Sequence, residues 1–229
     1  MGISGSSQVG LKTGVCTSTT RPSAPYAGQM VYETDTTRTV TWSGTAWVPV
    51  GERTVTSLPT SPLDGEIINY VADATNGVVW RLKYRAASAS AYKWEFIGGS
   101  PLNSEFLSAW SSWEGTSSLY FTDLATVGPS FIVPLAGDYD CSFSVQARNT
   151  TSSASVRVWV TGDSTSIYWP NADSLHAASN PSYSTLNSTR RRTGVAAGAT
   201  IKLQYAVSND GVTEVFYNRR LRINPVRVG

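Results

Sequence analysis

The feature that most restricts this chain is an internal repeat between Arg21 and Gly99. The first copy reads RPSAPYAGQMVYETDTTRTVTWSGTAWVPVG and the second LPTSPLDGEIINYVADATNGVVWRLKYRAASASAYKWEFIGG. Pro22, Pro25, Gly28 and Gln29 align with Pro59, Pro62, Gly65 and Glu66. With one residue inserted, Tyr32, Asp35 and Trp42 align with Tyr70, Asp73 and Trp80. A stretch rich in Ala and Ser, from Arg85 to Tyr92, then separates Trp80 from Trp94, the counterpart of Trp47, and Gly51 corresponds to Gly98. The prolines hold an extended lead-in and the glycine supplies a turn. MVYET and IINYVAD have strand composition, and hairpin turn residues follow each. Each copy therefore predicts a three-stranded β-meander, 21–52 and 53–99. A unit of roughly thirty residues buries too little surface to stand alone, so it must pack on a neighbour or on another chain.

The rest of the chain also reads as β-structure. Residues 1–20 are small and polar and read as an extended anchoring arm. Residues 100–125, including SEFLSAWSSWEGTSSLYFTDL, have apolar spacing that suits a short helix or a hinge, and read best as a linker leading into a first strand. From 126 to 229 the period is two. Tyr139, Cys141, Phe143 and Val145 alternate with polar residues, as do Val156, Val158 and Val160, with Arg157 and Trp159 on the opposite side. Ile201, Leu203, Tyr205 and Val207 repeat the device before a turn at Asn209-Asp210-Gly211. Such strands over about a hundred residues predict a sandwich, most simply a jelly roll. Tyr168 to Thr193 has little periodicity and reads as a long loop or a loose strand pair. The expectation is thus an all-β chain: arm, two meanders, linker and jelly-roll sandwich.

The segment TSTTRPSAPYAGQMVYETDTTRTVTWSGTAWV resembles a module of bacteriophage head-fibre, decoration and tail proteins. Its marks are Arg21-Pro22, Pro25, Gly28-Gln29, Tyr32, Asp35 and Trp42 to Trp47. FIVPLAGDYDCSFSV resembles the entry into a C1q/tumour-necrosis-factor-like jelly roll. The resemblance implies a homotrimeric virion structural protein, anchored to capsid or tail proteins by its N-terminal side and projecting from the particle surface after assembly in the host cytoplasm. A long tail fibre would need extensive repeats or a coiled coil, so a compact capsid decoration or short head fibre fits better. A minor tail or tail-fibre protein, or a carbohydrate-binding module for host attachment, is the alternative.

Little in the chain points to bond-making chemistry, and no catalytic, cofactor or metal site is expected. The sole histidine, His176, has Asp173, Ser174 and Ser179 close in sequence, but no GxSxG elbow accompanies it. Asp138 and Asp140 share one side of a strand, which suits a cation or, more simply, a strand entrance. Cys16 and Cys141 stand far apart and form neither a disulfide framework nor a zinc constellation. A net charge of +2 supplies no field for collecting nucleic acid. No run reaches the eighteen or so apolar residues that insertion in a membrane needs, and the N-terminus lacks a signal-peptide pattern. Two surface candidates remain. Trp159, Tyr168, Trp169 and Tyr183 have the amphipathic rings that stack on host-surface glycans, although packing in a core or subunit interface is the commoner use. Arg190, Arg191 and Arg192 suit contact with an anionic surface, against the plainer reading of a solvated loop.

Overall fold

The computed structural model describes residues 14–107, 113–148, 155–161, 175–176, 183–208 and 213–229. Among them every regular element is a strand. The first repeat folds as a four-stranded sheet, β1 (Gly14–Cys16), β2 (Met30–Glu33), β3 (Arg38–Trp42) and β4 (Trp47–Val50), in that spatial order. The lead strand β1 runs parallel to β2, and the others are antiparallel. The second repeat copies the plan with β5 (Arg53–Val55), β6 (Ile67–Asp73), β7 (Val78–Tyr84) and β8 (Trp94–Gly99), and β5 is again parallel to β6. Each unit therefore has four strands rather than three. The lead strand of the first is drawn from the expected arm, of which residues 1–13 lie outside the described residues.

The copies agree in local detail. Gly28 N donates to Trp42 O at 2.8 Å and Gly65 N to Tyr84 O at 3.0 Å, while Trp42 N and Tyr84 N each donate back, at 2.8 Å, to Gln29 O and Glu66 O. Both glycines sit at positive φ, +85° and +80°, which the turn requires. Ring pairs match as well: Trp42 lies 5.5 Å from Trp47 and Tyr84 lies 5.2 Å from Trp94, each at 59°. Trp42 is thus the counterpart of Tyr84, not of Trp80. The register likewise equates Val31 with Ile68, Glu33 with Tyr70, and Arg38 with Trp80. Alignment by residue type fails here because the second hairpin is five residues longer between its equivalent pairs, so one insertion cannot restore phase.

The two copies differ in what they join. The second unit is continuous with a nine-stranded sheet that runs β5–β6–β7–β8 into β17 (Glu214–Val228), β12 (Gly137–Arg148) and β15 (Tyr183–Val195). The fifteen-residue β17 is the spine. One edge pairs with β12, and the other takes β10 (Glu114–Thr116), β9 (Leu102–Phe106) and β8 in succession. The expected linker therefore supplies two strands of the sheet, as well as a bridge from Thr122 to Tyr205. Residues 183–193, expected as loop or loose pairing, form most of a thirteen-residue strand. Their Ser, Thr and Arg side chains hide the period because, among the described side chains of β15, only Leu186, Arg192 and Val195 are buried, while Ser188 and Arg190 take the same inward side only half-buried.

A second sheet, β11 (Ser130–Ile132), β16 (Thr200–Val207), β13 (Val156–Val160) and β14 (Leu175–His176) in the order β11–β16–β13–β14, completes a jelly-roll-like sandwich. The inward residues are those the alternation marks. Tyr139, Cys141, Phe143 and Val145 belong to one core with Val156, Val158, Val160, Ile201, Leu203 and Tyr205. Trp80 lies 6.2 Å from Tyr139, so the second repeat shares this core.

Candidate interaction surface

At the boundary of the two repeat units, charge replaces apolar packing. Glu33 and Arg38 hold the places that Tyr70 and Trp80 hold in the second unit, and all four are buried. Glu33 Oε2 accepts from Arg38 Nε at 2.9 Å and from Thr36 Oγ1 at 2.7 Å, while its Oε1 accepts from Arg21. Arg38 Nη1 donates onward to Glu66 Oε2 at 2.7 Å and to Ser61 O at 3.1 Å. Glu66 Oε1 accepts from Arg53 Nη2 at 3.0 Å, and Arg53 also donates to Thr36 O. The result is an alternating chain, Arg21–Glu33–Arg38–Glu66–Arg53, that ties the first unit to the second. Every carboxylate oxygen in it is hydrogen-bonded, which such burial demands. Sequence reasoning missed this relay. Its signal was Glu33, two residues from Val31 and therefore on the inward face.

The arginine run divides by strand parity. Arg191 points outward and pairs with Asp140, both guanidinium contacts at 2.9 Å. Arg192 points inward and is 4% exposed. Its Nε donates to Val160 O at 2.8 Å, and its guanidinium lies 4.2 Å from the centroid of Trp159. Trp159 is itself 3% exposed and stands 5.9 Å from Phe121. Neither Trp159 nor Arg192 is thus presented on the surface of the chain. Phe121 and Arg192, from distant segments, cover the ring that local alternation placed on the outer side. Arg190, opposite the buried Cys141 and on the same strand side as Arg192, is half-buried. Tyr168, Trp169 and the side chain of Tyr183 lie outside the described residues, as does the His176 ring.

The acidic pair also has structural work. Asp138 Oδ1 accepts from Gly194 N at 2.9 Å, and Asp140 holds Arg191. With Glu95 and Arg227 they line an open concavity of about 560 Å³ in which both signs of charge meet. No group of three or more metal-ligating side chains occurs among the described residues, and no helix among them is long and apolar enough to cross a membrane. Cys141 is fully buried, which pushes its thiol up to about 12, and Cys16 is a second free thiol. An aromatic the sequence did not single out is exposed instead. Trp113 is 47% exposed, its ring 5.9 Å from Tyr217 and 5.7 Å from the Arg148 guanidinium.

No protein-family model matches the chain, and no curated protein matches it. Among solved structures, a chain from the infectious bursal disease virus Gt strain aligns at 10% identity with a TM-score of 0.36, over 66% of this chain and 41% of that one. A chain from the Gx strain aligns at 9% identity with a TM-score of 0.31, over 65% of this chain and 41% of that one. The matched region thus spans about two fifths of each of those viral chains.

Proposed function

We propose that this chain is a non-enzymatic structural protein of a bacteriophage particle, a homotrimeric capsid decoration or short head fibre. Its first repeat unit docks on the virion and its sandwich projects outward. The observation that carries the reading is the form taken by the phage-type motif. Its Gly28, Gln29, Trp42 and Trp47 build a β unit whose copy merges into the sandwich sheet through β17. A shared sheet and core couple the second unit to the sandwich mechanically, which suits a part that carries surface outward rather than one that encloses a substrate. The charged side chains singled out in the sequence serve packing: Asp138, Asp140 and Arg192 all hold neighbouring strands. Gold-labelled antibody against residues 183–229 should decorate the surface of intact particles in electron micrographs. Unlabelled particles that nevertheless contain the chain would remove the surface assignment.

A second reading, host attachment through glycans, is favoured by one feature: the exposed Trp113 ring beside Arg148. The Arg148 guanidinium lies over one face of the indole, so the opposite face is the one suited to stacking on a sugar. Envelope glycans should then quench tryptophan emission in the wild type and not in Trp113→Ala. Equal quenching in both excludes this ring as the site.

A further inference from the structure

The two β units give one backbone plan twice, and the comparison isolates a face. In the first unit, strand pairing sets Val15, Tyr32, Thr39 and Val50 in one cross-strand row and Met30, Thr41 and Val48 in the next, opposite the face of Val31 and Val40. Val15 is 69% exposed, Met30 43%, Tyr32 38% and Val50 43%. None of the seven carries a charge. The equivalent rows of the second unit are Thr54, Asn69 and Arg81, then Ile67, Lys83 and Glu95. There Arg81 pairs with Glu52, and Arg85 pairs with Glu95 at 2.8 Å. The same backbone thus carries a charged outer face in one copy and an apolar one in the other. The local fold does not require the apolar version. Contiguous apolar residues left exposed on one face are a recognised mark of a contact site.

We infer that this face of β1–β4 is where copies of the chain associate, its occupant being the same face of the other copies gathered around the oligomer axis. Charge selects that occupant. Where the same face of each copy turns toward a shared axis it meets its own net charge, so a net-charged face would repel its copies. The seven residues are neutral in a chain with 18 basic and 16 acidic residues, and the charges at their border, Glu52 and Arg53 beside Tyr32 and Val50, are of opposite sign. Thin packing inside the unit points the same way. Its buried aliphatics are Val31 and Val40, set beside the Glu33–Arg38 pair, so cover from a second copy supplies apolar burial that the unit lacks. The inference rests on the homo-oligomeric part of the proposed function and gives that part a surface.

Sedimentation of the full chain tests it, with Tyr32→Lys/Val50→Lys as the variant and Asn69→Lys, on the charged face of the second unit, as the control. Wild type and control should sediment at a multiple of 24.6 kDa, and the double variant as a single chain with unchanged circular dichroism. An assembled double variant overturns the inference and leaves the oligomer standing, whereas a monomeric wild type overturns both. With a monomeric wild type, deletion of residues 1–13 that newly exposes Tyr32 to surface labelling assigns the cover to the chain's own N-terminus. Particle binding lost in the double variant assigns it to another virion protein instead. If the lysine variant loses its fold, Met30→Gln/Tyr32→Gln carries the same comparison.

Discussion

Arg38 Nη1 meets Glu66 Oε2 at 2.7 Å, a buried ion pair that joins two copies of one repeat. Arg38 stands where the second copy has Trp80. At Trp80 the sandwich core offers apolar cover, including Tyr139. At Arg38 the neighbour is the 61–66 turn of the second unit, with a carbonyl and a carboxylate to satisfy. A single fold thus meets two surroundings by exchanging an aromatic pair for an ionic one.

Removal of either partner should be costly. Arg38→Ala leaves Glu33 and Glu66 buried with fewer donors, and Glu66→Ala takes an acceptor from Arg38, Arg53 and the Leu63 N–H. Breaking a buried pair from one side costs about 3–5 kcal/mol. Urea unfolding of each variant should show a loss of that size. A loss below about 1 kcal/mol would mean that the relay is solvated in solution.

The same relay sets an acid limit. Burial pushes the Glu33 carboxyl up, but hydrogen bonds from Arg21, Thr36 and Arg38 outweigh it and hold the carboxyl below its usual range. A carboxyl depressed in the folded state stabilises fully above its unfolded pKa, about 4.3 for Glu. That contribution declines as pH falls from there through the lower native value. Melting temperature should therefore drop below about pH 4.3, and Glu33→Gln should flatten the drop at the expense of stability at neutral pH. An identical acid limb in wild type and variant would show that Glu33 does not contribute.

Strand identity was legible wherever burial follows a period of two. Tyr139 to Val145 and Ile201 to Val207 turn inward as their alternation indicates. The copy-to-copy register was not legible, because Trp42 and Trp80 share a residue type while hairpin length shifts Trp80 opposite Tyr70. Nor was the cover on Trp159, which comes from Phe121 and Arg192, far away in sequence. Local pattern reports which side a residue takes, and only tertiary contacts decide whether that side meets water. β9 and β10 escaped notice for a related reason: they are short and derive their order from the edge of β17.

The arginine run provides a graded test of that distinction. Arg192→Ala deprives Val160 O of its donor and Trp159 of its stacked cation. Hydrogen bonds from charged groups are worth about 1.5–3 kcal/mol, and the variant should lose at least that much. Its tryptophan emission should also change as Trp159 is uncovered. Arg191→Ala breaks only an exposed pair with Asp140 and should cost less than about 1 kcal/mol. Equal losses from the two would contradict the inward and outward assignment of β15.

A last prediction comes from a strained turn that the repeat itself explains. Thr37 is the last turn residue of the β2–β3 hairpin, at φ +49°, and the last turn residue of the β6–β7 hairpin is Gly77, at φ +67°. A left-handed backbone costs a residue with a Cβ roughly 1–2 kcal/mol, and a β-branched side chain is especially rare there. Glycine escapes that cost but loses about 0.5–1 kcal/mol through the greater freedom of its unfolded chain. The Thr37 hydroxyl contributes little in return, since its contact with Arg53 Nη1 is 3.5 Å long and exposed. Thr37→Gly should therefore stabilise the protein by up to about 1 kcal/mol, read as a higher urea midpoint with an unchanged slope. Because Arg53 also binds Thr36 O, a lower midpoint would show that the threonine holds the turn in place for the relay, and that its strained backbone serves to anchor the first unit on the second.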